Sequence, residues 1–324
     1  MISQDSILIF GATGQLGKSL IKRFTQNNQK VIAVTRDIHK KGYILKTQGN
    51  YGWLELEEIN SFSPEKIHSL MARCSICINL IGILYEKKKD DFKNIHTQLP
   101  SLLSKIAKEK NLKQFIHVSA LGIDIAAEKN DSKYAISKVN GENEIKKNFK
   151  NYVILKPSII FSVDDNFSTN FMKLLSWLPA MPLYYSGGTK FAPIHASDMA
   201  EIIFQVVKRN LKGETIQCVG PEELSFKDII LKLLNSIDKK RILIPLPLFI
   251  AKLSAKLFEK MPKPLLTQDQ LSLLKYDSIA NRNYKSNIDF GIQANKKFEE
   301  EIKKYSFNWK SGGQYTKNNF SKNN

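Results

Sequence analysis

The first half of the chain alternates short apolar runs with longer amphipathic stretches. The apolar runs are rich in Val, Ile and Phe and have the length of buried strands. In the stretches between them, apolar residues recur three or four positions apart, which predicts helices over residues 15–25, 91–108 and 134–149. Strands that alternate with helices need crossover connections, so the pattern predicts a parallel sheet with helices on both faces. The predicted strands are residues 7–10, 31–35, 53–56, 76–81, 115–119 and 153–156.

The alternation weakens after residue 161 and returns near residue 197. A Pro-rich segment and a Gly-Gly pair interrupt it, and a helix at 197–207 and a strand at 215–219 then restore it. Further helices are predicted over residues 225–234, 246–260 and 267–275. We therefore expect a doubly wound α/β domain with a smaller, mostly helical lobe. The expected boundaries are 1–162, completed by 191–220, for the α/β domain, 163–190 and 221–310 for the lobe, and 311–324 for a disordered polar tail.

Composition excludes several classes of protein. With 324 residues, 42% of them hydrophobic, the chain is too apolar to be disordered. Three cysteines cannot form the disulfide framework of a secreted scaffold, and Cys74 and Cys77 fall in an apolar run where core packing is the expected role. His96 and His117 have no carboxylate or cysteine partners at ligand spacing, so no metal site is predicted.

Basic residues outnumber acidic residues by 49 to 31, which gives a formal net charge of +18. Such a charge favours an anionic partner, although a Lys-rich composition without any such partner would produce it equally well. No nucleic-acid recognition module accompanies the charge, so nucleic acid is not a predicted partner. The basic clusters at 87–89 and 239–241 would suit an anionic membrane surface.

The predicted helix at 246–260 leaves two interpretations open. Lys252, Lys256 and Lys260 recur every four residues opposite an apolar side, as in a helix that lies on a membrane surface. A helix packed on the lobe with a solvated row of lysines would show the same pattern. No export or organelle signal is recognisable at the N-terminus, and no apolar run reaches the roughly 18 residues of a membrane span. A cytoplasmic protein, free or peripheral on a membrane, is therefore expected.

A glycine-rich loop follows the first predicted strand. Gly11, Gly14 and Gly17 stand between that strand and the first helix. In dinucleotide-binding folds such glycines permit a tight turn, let a pyrophosphate approach the backbone and pack the helix against the sheet. The N–H groups at the helix N-terminus then face the phosphates, so the loop predicts a Rossmann-type nucleotide-binding domain. The other loop residues expected beside the phosphates are Thr13, Gln15 and Leu16.

The end of the second predicted strand indicates which cofactor binds. An Asp or Glu there would bind the ribose 2′-hydroxyl and repel a 2′-phosphate. Thr35 occupies that position, and Arg36 follows it with a guanidinium that can hold a phosphate through two hydrogen bonds. NADP(H) is therefore predicted over NAD(H), and stacking of Arg36 on the adenine is the alternative. Asn79 and Gly82, at the end of the fourth strand, are expected close to a cofactor ribose.

Three side chains form a candidate catalytic set. Tyr134 and Lys138 are four residues apart, and therefore share one face of a predicted helix. A Lys cation beside a phenol favours the phenolate and lowers the Tyr pKa, as proton exchange with a substrate oxygen requires. Ser119 ends the fifth predicted strand, where its hydroxyl would orient the reacting oxygen.

With these motifs in this order, the chain resembles the short-chain dehydrogenase/reductase superfamily, in particular its extended and atypical branches. The blocks 156–161 and 191–200 are also similar to that superfamily, and the resemblance reaches the polar tail. More narrowly, residues 246–248 and 264–275 resemble bacterial relatives of the NAD(P)-binding accessory subunit of respiratory complex I. Two departures are the short segment 122–133 and Ser162, which stands where Gly often follows Phe.

The resemblance implies site residues and two alternative functions. The first function is an NADP(H)-binding partner of complex I, peripheral on the cytoplasmic face of a bacterial inner membrane, in which the cofactor is structural. The second is an active NADP(H)-dependent reductase or epimerase that acts on a quinone-related or other lipophilic carbonyl. By the resemblance, Gly11, Gly14, Gly17 and Arg36 would bind the cofactor phosphates, Lys138 the nicotinamide ribose, and Pro157 would lie near the nicotinamide. Ile160 is a further expected cofactor-binding residue, and Tyr134 would be the proton donor.

Overall fold

A computed structural model describes residues 6–247, 249 and 267–313 of the chain. Its strands are β1 (Ile7–Phe10), β2 (Val31–Thr35), β3 (Leu54–Glu58), β4 (Ile76–Asn79), β5 (Gln114–Val118), β6 (Tyr152–Pro157), β7 (Ile160–Phe161), β8 (Ala180–Leu183), β9 (Lys190–Phe191), β10 (Ile194–His195), β11 (Glu214–Cys218), β12 (Leu224–Ser225) and β13 (Ile242–Pro245). Its helices are α1 (Gln15–Thr25), α2 (Ile38–Lys46), α3 (Pro64–Met71), α4 (Leu99–Glu109), α5 (Ile123–Glu128), α6 (Lys133–Asn148), α7 (Ser168–Trp177), α8 (Ala196–Lys208), α9 (Phe226–Ser236), α10 (Gln268–Leu273) and α11 (Phe298–Lys303). A π-helix (Lys93–Gln98) leads into α4.

Seven parallel strands form the main sheet, in the order β11-β6-β5-β4-β1-β2-β3. The chain builds outward from β1 through β2 and β3, and then crosses to β4 on the other side of β1. In doubly wound sheets, ligands bind outside the carboxyl ends of the strands at such a reversal of order. The doubly wound Rossmann-type fold is therefore confirmed, and the glycine loop that follows β1 lies at the reversal.

Both faces of the sheet are covered, which explains why its strands are apolar at successive positions. Ile7 and Ile9 of β1 belong to a core shared with α1 and α8. Leu8 and Phe10, whose side chains point to the other face, belong to a core shared with α3 and α4. All four side chains have no exposed surface, so the strand that precedes the glycine loop is held rigidly from both sides.

Two element boundaries differ from the sequence prediction for identifiable reasons. β4 ends at Asn79 rather than residue 81, because the Asn79 Oδ1 accepts a hydrogen bond from the Ile81 N–H at 3.1 Å and turns the backbone away. The helix predicted over 91–108 begins as the π-helix, because Pro100 in the first turn of α4 has no N–H to donate to the preceding turn.

A further core lies beyond the sheet. Phe161, residues of α7 and α9, and Phe298 and Ile302 of α11 pack together there. The division into two lobes at the expected boundaries stays a prediction. Most of the predicted helix at 246–260 lies outside the described residues, as does the tail from residue 314 onward. In the part of the chain that is described, no helix has the length and apolar character that crossing a bilayer requires.

Candidate nucleotide-binding site

Two of the three loop glycines are required by the protein's own packing. Gly11 has a φ of +81°, and a Cβ at this position would lie 3.2 Å from Leu80 of the chain beyond β4. Gly17 lies inside α1, where a Cβ would overlap the backbone of Ala12. These glycines let the loop turn and let α1 approach the end of β1 closely.

Gly14 is different, because nothing in the protein requires a glycine there. Its φ of −75° and ψ of 168° suit any residue, and a Cβ would meet only the Gly11 carbonyl oxygen at an ordinary 3.5 Å. Gly14 is exposed, and no side chain caps the N-terminus of α1. The first N–H groups of a helix have no intrahelical acceptor, so this exposed backbone is available to an anion that approaches closely.

Arg36 stands beside this loop at the end of β2. The side chain is exposed and makes no hydrogen bond or ion pair with the residues described. The Lys18 and Lys41 side chains are near one another, since Lys41 adds to the effect of burial in lowering the pKa of Lys18. The Lys18 charge is balanced by an ion pair with Asp164, so Arg36 is the residue that, among those described, offers an unpaired positive charge at the end of β2.

A set of contacts that we call the α1 clasp ties α1 to the chain after β7. The Gln15 Nε2 donates to the Ile160 carbonyl oxygen at 3.1 Å, and the Gln15 Oε1 accepts from the Ser162 Oγ at 2.6 Å. One turn later, Lys18 forms an ion pair with Asp164. Gln15 and Ile160, both predicted as cofactor residues, are thus brought together by a direct contact. Ser162 and Asp164 were not predicted.

Tyr134 and Lys138 lie on the buried face of α6, as their spacing predicts. The Tyr134 ring packs edge-on against His96, with 5.2 Å between ring centroids, and against Phe92. A Cβ on Gly82 would lie 3.4 Å from the Lys138 Nζ and 3.7 Å from the His96 Nε2. The structure therefore assembles Gly82, His96, Tyr134 and Lys138 at one place. The Tyr134 hydroxyl has no hydrogen-bond partner within the described ranges.

The expected lowering of the Tyr134 pKa is wrong for this structure. Burial raises the pKa of Tyr134, and the Asp269 carboxylate raises it further. Asp269 accepts hydrogen bonds from the Lys133 N–H at 2.6 Å and from the Tyr134 N–H, and these bonds hold its carboxylate at the start of α6. Burial also lowers the pKa of Lys138 to about 8; Glu142 opposes this and Lys156 adds to it. Desolvation therefore outweighs the effect of the nearby cation.

Ser119 is engaged in a buried polar network instead of facing open space. Its hydroxyl donates to the carboxylate of Glu142, which is one turn after Lys138 on the same face of α6. The Lys156 Nζ lies 3.2 Å from Glu142 and 2.7 Å from the Asp124 Oδ1. Glu142 and Lys156 are almost completely buried, which is tolerated because each charge is paired. An acidic residue four positions after Lys138 was the sequence signal for Glu142.

Asn79 is the last residue of β4, and Pro157 is the last residue of β6. The Asn79 Nδ2 donates to the His117 Nδ1 at 3.1 Å, and both side chains are buried. The Pro157 carbonyl oxygen accepts from the Leu121 N–H at 2.9 Å. The polar atoms of Asn79 are thus used inside the protein. Within the described ranges, no group of three or more His, Cys, Asp or Glu side chains could hold a metal ion.

Comparison with known proteins decides the family. The sequence profile of the RmlD substrate binding domain matches residues 5–280. The chain belongs to this family. It is an extended short-chain dehydrogenase/reductase, and the resemblance seen in the motifs is confirmed.

Individual relatives agree with this assignment. The mitochondrial NADH dehydrogenase (ubiquinone) 1 alpha subcomplex subunit 9 of Mus musculus is 28% identical over 289 residues, which cover 88% of this chain and 75% of the mouse protein. The UDP-glucose 4-epimerase of Vibrio cholerae is 22% identical over 280 residues, covering 79% of this chain and 83% of the epimerase.

Solved structures show the same fold. The Citrobacter triphenylmethane reductase complexed with NADP(H) superposes with a TM-score of 0.70 and 18% identity, over 93% of this chain and 99% of that chain. The Bordetella bronchiseptica enzyme WbmG in complex with NAD superposes with a TM-score of 0.62 and 15% identity, over 95% of this chain and 94% of that chain.

Proposed function

We propose that the protein binds NADP(H) as a structural cofactor and associates with respiratory complex I. The observation that carries the nucleotide-binding part of the proposal is Gly14, an exposed glycine at an uncapped helix N-terminus that the packing of the protein does not require. Close approach of a pyrophosphate is the physical reason for a glycine at this position. The residues of the site therefore fit a dinucleotide.

The preference for NADP(H) rests on the charge beside the loop. Arg36 is exposed and unpaired within the described residues. A ribose 2′-phosphate would place negative charge against this guanidinium, whereas the 2′-hydroxyl of NAD(H) would not. Proteins with this fold are solved with NADP(H) and with NAD, so the fold alone does not indicate which of the two cofactors binds. The charge of Arg36 is therefore the feature that favours NADP(H) over NAD(H).

The proposed partner comes from the relatives. The mouse relative is named as a subunit of NADH dehydrogenase, and a Neurospora crassa relative, 25% identical over 290 residues, is named as a subunit of NADH-ubiquinone oxidoreductase. Both alignments cover 88% of this chain. We infer attachment to the same enzyme in the organism that makes this protein, on the cytoplasmic face of its inner membrane.

The state of the candidate catalytic groups supports a structural role for the cofactor. The Ser119 hydroxyl donates to Glu142, and burial raises the pKa of Tyr134. The Ser119 hydroxyl is therefore not available to orient a substrate oxygen, and the Tyr134 phenol does not ionise near neutral pH. The α1 clasp holds the chain after β7 against the helix that would carry the phosphates, an arrangement that suits retention of a cofactor.

The test is to solubilise native membranes mildly, separate the complexes by size and locate this chain by mass spectrometry while measuring released NADP(H). We expect comigration with complex I subunits and about one NADP(H) per chain. The Gly14→Ala variant should fold but release no NADP(H), and Gly188→Ala, an exposed glycine of ordinary φ, should retain it. Migration of the wild type as a free 37.0 kDa chain would refute the partner, and retention of NADP(H) by Gly14→Ala would refute the site.

An active reductase or epimerase is the second candidate, favoured by one observation. The Tyr134 hydroxyl has no hydrogen-bond partner among the described residues, although its ring is buried beside Lys138 and Gly82. A free phenol at this place could donate a proton to a carbonyl oxygen of a quinone-related or other lipophilic substrate, with NADP(H) supplying the hydride. In that case Tyr134→Phe should abolish NADPH oxidation by such carbonyls and leave NADPH affinity unchanged; turnover that survives the change would exclude this role.

A further inference from the structure

A patch of exposed apolar side chains lies away from the nucleotide site. Trp177, the last residue of α7, is 81% exposed, and Ile242 and Ile244 of β13 are 68% and 47% exposed. The two isoleucines are two residues apart on a strand, so their side chains point to the same side. Exposed residues of this size scattered singly would need no explanation, but a contiguous group does.

Hydrogen bonds place the segments that carry these side chains next to one another. The Arg241 Nε donates to the Leu175 carbonyl oxygen at 2.9 Å, and its Nη2 donates to the Ser176 carbonyl oxygen at 3.1 Å. The Ile242 N–H donates to the Pro179 carbonyl oxygen at 3.3 Å, which begins the pairing of β13 with β8. The end of α7, with Trp177, is therefore fastened to the start of β13, with Ile242.

Basic residues accompany this patch. Lys173 precedes Trp177 by one helical turn and is exposed, and Lys240 is exposed just before β13. The segments 168–183 and 239–247 that form the patch contain no Asp or Glu. The nearest acid in the sequence, Asp238, is already ion-paired with Lys310, with 2.8 Å between the Asp238 Oδ2 and the Lys310 Nζ. We call Trp177, Ile242, Ile244, Lys173, Lys240 and Arg241 the Trp177 patch.

We propose that the Trp177 patch binds the surface of an anionic phospholipid bilayer. Trp is the side chain that partitions best between headgroups and acyl chains, isoleucines bury apolar surface there, and Lys and Arg are attracted to anionic headgroups. A protein partner fits less well, because Lys is depleted in protein interfaces. The chain that leaves the patch has the same character, since residues 250–266 contain four Lys and a single Glu.

This inference goes beyond the proposed function and does not depend on it. Binding of lipid is measured on the purified chain, with no complex I present. A failure of lipid binding would leave cofactor binding and comigration with complex I untouched, and the reverse holds as well.

The test is sedimentation of the full chain with vesicles of phosphatidylcholine alone or with 30 mol% phosphatidylglycerol, roughly the anionic content at which surface charge attracts basic segments. We expect binding to the anionic vesicles that weakens as salt is raised. The double variant Ile242→Ser/Ile244→Ser and the single variant Trp177→Ala should each weaken it about tenfold or more. Lys173→Gln/Lys240→Gln should weaken it and reduce its dependence on salt.

Matched controls separate the patch from the overall charge. Tyr51→Ala removes an aromatic side chain that is fully exposed in a turn outside the patch, and Lys208→Gln/Lys212→Gln removes two exposed charges that belong neither to the patch nor to the clusters at 87–89 and 239–241. Both should bind vesicles like the wild type, and circular dichroism checks that all variants fold. Equal sedimentation with neutral and anionic vesicles, or the same loss in control and patch variants, would overturn the proposal. Lipid binding unaffected by the patch variants, together with loss of comigration with complex I, would identify the patch as a protein interface instead.

Discussion

His96 lies in a chain of hydrogen bonds that defines its protonation. The His96 Nε2 accepts from the Ile83 N–H at 3.1 Å, so this nitrogen carries no proton. The proton of the neutral ring is then on Nδ1, 3.0 Å from the Ser137 Oγ, which in turn donates to the Tyr134 carbonyl oxygen at 2.8 Å. Burial, together with the Lys138 charge, lowers the pKa of His96 to about 3.

Acid should therefore destabilise the fold through His96. The unfolded chain, in which the His pKa is about 6.5, binds the proton first, so stability present above pH 6.5 is lost as the pH falls towards 3. The expected loss from this residue between pH 7 and pH 3 is about 4 kcal/mol. In urea titrations at pH 7, 5 and 4, His96→Asn should show a shallower loss of stability than the wild type.

The control variant is His39→Asn. His39 is exposed, so this change removes an imidazole that is not buried. It should leave the pH dependence of unfolding unchanged. Equal slopes for the wild type and His96→Asn would mean that other groups account for the acid sensitivity, with His117, which is also buried, the first to examine.

At the scale of residues, the sequence predicted that Tyr134 and Lys138 would share one face of a helix, but it predicted the wrong direction for the shift of the Tyr134 pKa. The glycine order and the four-residue spacing were enough to bring Tyr134 and Lys138 together on one face of α6. The direction of the Tyr134 pKa shift depends on desolvation, which spacing does not report. Glu142 was missed because its importance arises only when β5 and β6 bring Ser119 and Lys156 to it.

At the scale of elements, the meeting of the π-helix with α6 is the contact that positions the site. Gly141 is in the middle of α6, where glycine costs about 0.5–1 kcal/mol relative to alanine. A Cβ at Gly141 would overlap the carbonyl oxygen of His96 in the π-helix. The close approach explains a glycine that lowers helix propensity. The sequence predicted the helices at 91–108 and 134–149 but not their contact. The spacing of apolar residues within each helix does not show where two helices touch.

Gly141→Ala should consequently destabilise the protein although alanine favours the helix. Overpacking costs typically 1–3 kcal/mol, which exceeds the gain in propensity, so a net loss of about 1–2 kcal/mol in the free energy of unfolding is expected. Displacement of α6 also moves Lys138, so NADPH affinity should fall. Denaturant unfolding and fluorescence titration measure the two effects. Gly188→Ala, with the nearest atom 3.6 Å from the new Cβ, should change neither, and a Gly141→Ala protein more stable than the wild type would contradict the assigned contact.

At the scale of the whole molecule, the order of the strands places two exposed arginines on opposite sides of β1. β2 and β11 lie on opposite sides of β1, and Arg36 follows β2 while Arg282 lies in the segment that packs beside β11. Both arginines are exposed. The alternation of strands and helices predicted a doubly wound parallel sheet, which is confirmed, but it did not give the order of the strands. The packing of the segment after residue 220 was less predictable, because its short elements depend on contacts such as those of Phe298 with Phe161.

NADPH should stabilise the entire fold more than NADH does, and Arg36 should account for the difference. A ligand that binds only the native state adds about 2.7 kcal/mol at a hundredfold excess over its dissociation constant, which corresponds to a shift of roughly 5 °C in the midpoint of thermal unfolding for a chain of this size. Arg36→Leu should bring the NADPH shift down to that of NADH. Arg282→Leu removes an equally exposed guanidinium at the other side of the sheet and should preserve the preference, because the 2′-phosphate would lie beyond its reach. If both variants lost the preference equally, it would reflect the net charge of +18 and not a phosphate held at the end of β2.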